Sequence, residues 1–336
     1  MKKILSAVLA LTVGVATLSF AACSPEGVEE DAFTVYAPDG APALALANAV
    51  REENADFEYH IVASETITAQ VTGESPAADF CVLPVNAAAK LLGTGEKYQM
   101  LGTVTNGNMY FLTTGDNTAL TADNLSSLVG KTVGVVQLTN VPGLTLQAVL
   151  AKYDLAVNIV GNDGEIAENA VNLKAFDAAN VTPAAGCDYY LCPEPAATTK
   201  INATASAAVP FLLAGSLQEM YGENGYPQAV LVAKASVIAD HKAVVDTLIT
   251  YMEGSADYLA SADAADVVEL LATCYTQGMT PSLNANNLNA TVIAHCSVRF
   301  TAAQACKATV NAFLAELVAV SPEFTTAVSD AFFYVG

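Results

Sequence analysis

Residues 79–84 read DFCVLP and residues 85–92 continue as VNAAAKLL. The first run is apolar from Phe80 to Leu83 without alternation, and Pro84 stops it, so it predicts a short strand with both faces covered. The second run predicts a helix starting directly after that proline. A doubly buried strand leading into a helix belongs in a central parallel sheet, and this decides for an α/β fold. Working outward, residues 33–37 (FTVYA) form a strand, 38–41 (PDGA) a turn, and Pro42 opens a helix running to about residue 53. Phe57, Tyr59 and Ile61 alternate with Glu58 and His60 as a second strand, and Ser64 starts the next helix.

After a strand at 109–113 and turns through 124, the pattern restarts. Residues 132–137 (TVGVVQ) predict a strand, 138–143 (LTNVPG) a loop and 144–153 a helix; short strands follow at 157–160, 172–175, 187–191 and 229–233. The C-terminal part reads as helices at 236–252 and near 263–276 and 299–319, the last with Ala303, Cys306, Val310, Phe313 and Leu317 on one stripe. Two α/β lobes facing one another across a cleft are expected. The first takes residues 32–115 and 220–336, the second 116–219.

The chain begins with Lys2 and Lys3, an apolar run at 4–20 and Ala21-Ala22-Cys23. The run covers about 17 residues where a spanning helix needs about 20, so it reads as a signal peptide over 1–22. Cys23 is the expected lipidation site, and the polar, acidic 24–31 a tether. This places the protein outside the cytoplasm, held to a bacterial cell membrane by lipid. No later stretch of 18 apolar residues occurs, although hydrophobic residues make up 53% of the chain. The formal net charge of −21 argues against nucleic acid and against peripheral binding to anionic lipid. Six cysteines remain after Cys23, too few for a disulfide scaffold of this length; Cys187 and Cys192, or Cys296 with Cys274 or Cys306, are pairings that spacing leaves open.

Several pieces together resemble the periplasmic substrate-binding proteins of ABC importers, in the subgroup that includes nitrate, sulfonate and taurine binders and the binders of thiamine-pyrimidine precursors. They are 35–40 (VYAPDG), 78–84 (ADFCVLP), 125–137 (LSSLVGKTVGVVQ), 141–153 (VPGLTLQAVLAKY), 191–196 (LCPEPA) and 225–233 (GYPQAVLVA). The resemblance implies a type II periplasmic-binding-protein fold, with two three-layer α/β lobes, a two-strand hinge, and a ligand captured by closure for an ABC permease. It also implies that the loops after four strands line the cleft, where helix N-termini expose N–H groups. These carry Asp39, Gly40 and Ala41; Pro84 and Asn86; Thr139, Asn140 and Gly143; and Glu194. Asn106, Asn108 and Tyr110 join them from the handover between lobes, Tyr110 as a stacking surface for a flat ligand.

Each of these residues also suits a turn or a helix cap, and Glu194 could cap the helix that begins near Pro195. No Arg or Lys lies in the four loops, which disfavours an anion. A neutral or cationic organic solute, such as a planar heterocycle or an amine, is the expected ligand. No catalytic, metal or cofactor motif accompanies the fold: His60 and His241 sit where packing explains them, and an enzyme is not expected. The alternative is a cell-surface interaction protein that reuses the fold with its cleft filled.

Overall fold

The apolar run around Cys81 is strand β3 (Phe80–Pro84), buried up to its final proline. The structure is a computed structural model describing residues 32–115 and 118–336. The expected signal peptide, Cys23 and the tether lie outside the described residues. β3 sits in a six-stranded sheet with β1 (Phe33–Pro38), β2 (Phe57–Val62), β4 (Tyr98–Thr105), β11 (Ala229–Lys234) and β12 (Val298–Ala302), in the order β12-β4-β11-β3-β1-β2. β1 pairs in parallel with β2 and β3, with Val35 opposite Phe80. β11 runs antiparallel between β3 and β4.

The second sheet repeats the plan. It contains β5 (Met109–Thr113), β6 (Thr132–Val136), β7 (Val157–Ile159), β8 (Val171–Phe176), β9 (Tyr189–Pro193) and β10 (Leu212–Ser216), ordered β10-β5-β9-β6-β8-β7. β6 is parallel to β8 and β9, while β5 is antiparallel to β9. Each sheet thus has a parallel part and one antiparallel strand inside it, β11 or β5, and the first sheet adds a second antiparallel strand, β12, at its edge. By sheet membership the first crossing lies between Thr105 and Met109, ahead of the 115/116 boundary read from the sequence.

The helical stripe at the C-terminus packs as expected, over a shorter helix. Helix Ala303–Val320 buries Ala303, Cys306, Val310, Phe313 and Leu317. The Phe313 ring stacks on Tyr226 at 5.6 Å and meets Tyr221 edge-on at 5.5 Å. The preceding residues are not helical. They form edge strand β12, antiparallel to β4, where a side chain at Gly102 would come within 2.6 Å of the Phe300 ring. The missing side chain at Gly102 gives that ring its place.

The helix expected at 236–252 is two, Ala235–Asp240 and Lys242–Glu253, because His241 leaves helical geometry (φ −131°, ψ 46°) with its ring edge-on to Phe33 at 4.9 Å. The helix expected from Pro42 is likewise two short ones, Ala41–Ala45 and Ala47–Arg51. Among the described residues no helix is long and apolar enough to cross a membrane.

Cys81, Cys187, Cys192, Cys274, Cys296 and Cys306 are buried free thiols. Burial pushes the Cys192 thiol up to about 12, and Cys81 and Cys296 higher still. Thiolate, the reactive form, is therefore scarce at neutral pH. These thiols should resist Ellman's reagent in the folded chain and all react in denaturant. Titrating two fewer under non-reducing conditions would reveal a disulfide instead.

Candidate functional site

Parallel strands end where helices begin, so their carboxyl ends collect loops and unpaired N–H groups. A cavity of about 510 Å³ opens there between the two sheets. Asp39, Gly40 and Ala41 line it after β1, Pro84 at the end of β3, Gln137 and Asn140 after β6, and Glu194 after β9. Asn108 and Gln228, one from each crossing segment, complete this wall. Side chains do not fill the space, which is what a degenerate cleft would need.

The polar groups are held in defined poses. Asp39 Oδ1 accepts from Tyr275 Oη at 2.7 Å, Ser282 Oγ at 2.9 Å and its neighbour Gly40 N at 2.8 Å, while Oδ2 accepts from Ser282 N at 2.9 Å. Burial first, then the Asp39 charge, pushes the Tyr275 phenol far up, so it stays a donor. Asn140 Oδ1 caps its helix by accepting from Val141 N at 2.9 Å. Glu194, 3% exposed, accepts from Thr198 N at 3.0 Å and Thr198 Oγ1 at 2.8 Å, the cap foreseen for this helix. Its Oε1 also lies 3.3 Å from His295 Nδ1.

Asn108 Nδ2 donates to the Glu194 carbonyl at 2.9 Å, and its Oδ1 accepts from Gln228 Nε2 at 2.7 Å. A carbonyl can only accept, so this chain fixes both amide orientations and leaves Gln228 Oε1 buried with no partner. Three helix starts at the cavity thus already give an N–H to Asp39, Asn140 or Glu194, and prolines at 42 and 142 have none to offer. No Lys or Arg lines the cavity.

Other expected residues lie elsewhere. Thr139 faces an adjoining hollow that shares Glu65, Gln137 and Ala178 with the cavity. Asn86 Nδ2 donates to the Phe324 carbonyl at 3.2 Å, and Asn106 Nδ2 to the Arg299 carbonyl at 3.3 Å. Tyr110 does stack, but on His295 at 4.7 Å, and its hydroxyl reaches the His295 carbonyl at 3.4 Å. Gly143 is buried against Leu138, where any side chain would collide. The neighbourhoods of these four residues away from the cavity are packing and backbone pairing.

The structure adds wall residues that sequence reading passed over: residues 63–65 and Ile67 beyond β2, Gln228, and Met279, Thr280 and Ser282 from the C-terminal region. One signal for the last group was present. Residues 276–287 (TQGMTPSLNANN) form a twelve-residue loop between helices, nine of its residues polar, Gly or Pro, a length that usually marks a functional loop.

No protein-family model matches the chain, and no curated protein matches it. Among solved structures it is similar to an ABC transporter protein from Parabacteroides distasonis, with a TM-score of 0.66 and 16% identity over 91% of this chain and 99% of that one. It is similar to the alkanesulfonate-binding protein SsuA from Xanthomonas axonopodis pv. citri, solved with MOPS bound, at a TM-score of 0.58 and 16% identity over 90% of this chain and 98% of that one. The periplasmic aliphatic sulphonate binding protein SsuA from Escherichia coli gives a TM-score of 0.58 and 13% identity over 91% of this chain and 94% of that one. With its two six-stranded sheets and the cavity at their strand ends, the chain has the two-lobed periplasmic-binding-protein fold of ABC-importer substrate-binding proteins.

Proposed function

We propose that this protein is a lipid-anchored extracytoplasmic receptor that captures a small organic solute by closure of two lobes and delivers it to an ABC permease. The observation that carries the reading is the cavity of about 510 Å³ walled by both sheets and both crossing segments. That size suits a small ligand, and the wall mixes apolar surface with a few fixed polar groups. The lobes would follow the sheets, with residues 32–105 and the C-terminal region in one and residues 109–216 in the other. The tether would be lipid on Cys23, supported by the basic, apolar and small-residue order of 1–23. Solute capture requires no bond to be made or broken, so the role is not enzymatic.

The ligand is a neutral or cationic molecule, a planar heterocycle or an amine. Absence of Lys and Arg from the wall, and three helix starts whose N–H groups already meet side-chain acceptors, two of them also carrying a proline, support this over the sulfonates that the SsuA proteins bind. A thermal-shift screen of heterocycles, amines and sulfonates checks it: the first two classes should raise the melting temperature, and a shift with sulfonates alone would refute the ligand class.

A further inference from the structure

Residues 275–295 cross from one side of the cavity to the other, and their attachments to the two sides differ in kind. On the side of the first sheet the segment is bound firmly. Ile61 N donates to the Cys274 carbonyl at 2.8 Å and Thr276 N to the Ile61 carbonyl at 3.0 Å, extending β2 by a bridge at Tyr275. Tyr275 and Ser282 then give three hydrogen bonds to the Asp39 carboxylate. Bonds to a charged acceptor are the stronger kind.

On the side of the second sheet the attachment runs through two residues, Asn287 and His295, with no backbone pairing of the segment to a strand of that sheet among the described residues. Asn287, 5% exposed, gives one Nδ2 hydrogen to the Ser282 carbonyl at 2.7 Å and the other to Thr199 Oγ1 at 2.9 Å. Thr199 belongs to helix Ala196–Thr204, which follows β9, and its own hydroxyl hydrogen goes to the Pro195 carbonyl at 3.0 Å. Thr199 is exposed to solvent, so water can take the place of Asn287 there. His295 supplies the rest of the attachment on this side: its Nδ1 lies 3.3 Å from Glu194 Oε1, its carbonyl accepts from Tyr110 Oη at 3.4 Å, and its ring stacks on Tyr110 of β5 at 4.7 Å. Between the two attachments, Met279, Thr280 and Ser282 line the cavity.

We propose that residues 275–295 are a strap carried by the first half of the molecule, with Asn287 and Thr199 as the clasp that fastens it to the second half over the bound solute. When the cavity opens, the Asn287–Thr199 bond breaks together with the His295 contacts to Glu194 and Tyr110, and the Asp39 bonds persist, so the strap travels with the first sheet. Met279 and Thr280 then help to set which solutes fit, and Asp39, itself on the cavity wall, positions them. This rests on the reading of the cavity as a solute site.

The test uses hydrogen exchange of the full chain without ligand, in Asn287→Ala, Thr199→Val and the double variant, with Thr199→Ser as the control that keeps the hydroxyl. Each single variant should speed amide exchange at 283–288 and 196–204 by roughly threefold to tenfold, the scale of one neutral hydrogen bond. The double variant should add little to Asn287→Ala, which also frees Asn284 N from Asn287 Oδ1 at 3.0 Å, and exchange at 275–276 and 282 should stay slow. Thr199→Ser should behave as the parent. Unchanged exchange in Thr199→Val, additive effects in the double variant, or equal acceleration at 275–276 would each overturn the clasp. Because no ligand is present, a failed solute screen with the exchange pattern intact would remove the solute reading and leave the clasp standing. Solute binding with exchange unmoved would do the reverse.

Discussion

Asp39→Ala is expected to lower the unfolding free energy by about 3–5 kcal/mol, because it strands the Tyr275 hydroxyl and both the N–H and the hydroxyl of Ser282. Each is a bond to a charged acceptor, on the order of 1.5–3 kcal/mol in isolation. The sum is smaller because Asp39 is only half-buried and water reaches part of the gap. Asp39→Asn should recover a fraction of the loss, since one oxygen remains but the amide nitrogen now meets a donor. Urea unfolding with an unchanged slope reads the difference directly. A loss below about 1 kcal/mol would mean that solvent replaces the carboxylate and that Asp39 does not hold the C-terminal segment.

Gly143→Ala should be at least as damaging, for a different reason. A methyl group at this position would sit 2.0 Å from the Leu138 carbonyl oxygen and 2.5 Å from the Leu138 Cα. The obstacle is backbone, so no rotamer change relieves it. The helix Val141–Lys152 must shift or the loop before it must open, at a cost of at least about 3 kcal/mol. The expected result is a chain that unfolds several degrees lower or fails to accumulate, checked by thermal unfolding. Gly143→Ala folding at parental stability would show that the loop adapts and would return Gly143 to the list of ligand contacts. Gly40 is demanded on other grounds: its φ of 99° and ψ of −146° favour glycine, while the space around it is open.

The parallel framework was legible because it is written locally. The doubly buried run at Phe80–Pro84 and the strand Thr132–Val136 announce themselves by composition, and the loops after them follow from handedness and strand ends. Strand ends alone put the loops carrying Asp39, Pro84, Asn140 and Glu194 at the edges of the sheets, and the family resemblance groups these residues at one cleft. Strands β4 and β12 were harder to see. Gly102 weakens the strand pattern of β4, and Val298–Ala302 runs straight into a helix without a break in hydrophobicity.

The far wall was legible only as a long loop, without its partners. Asp39 meets Ser282 across 243 residues of sequence, and Glu194 meets His295 across 101. Nothing near Ser282 or His295 marks them as partners of a particular carboxylate, because short polar residues suit any loop. The same limit explains Tyr110, whose aromatic ring was visible as a stacking surface while its partner, His295, lay 185 residues away.

Calorimetric titration of the purified chain with neutral and cationic heterocycles and amines, beside alkanesulfonates, tests the central claim most directly. A saturable heat corresponding to one equivalent of a neutral or cationic solute is the predicted result. A chain that gives no saturable heat with any of these classes, while folded and monodisperse, would contradict it.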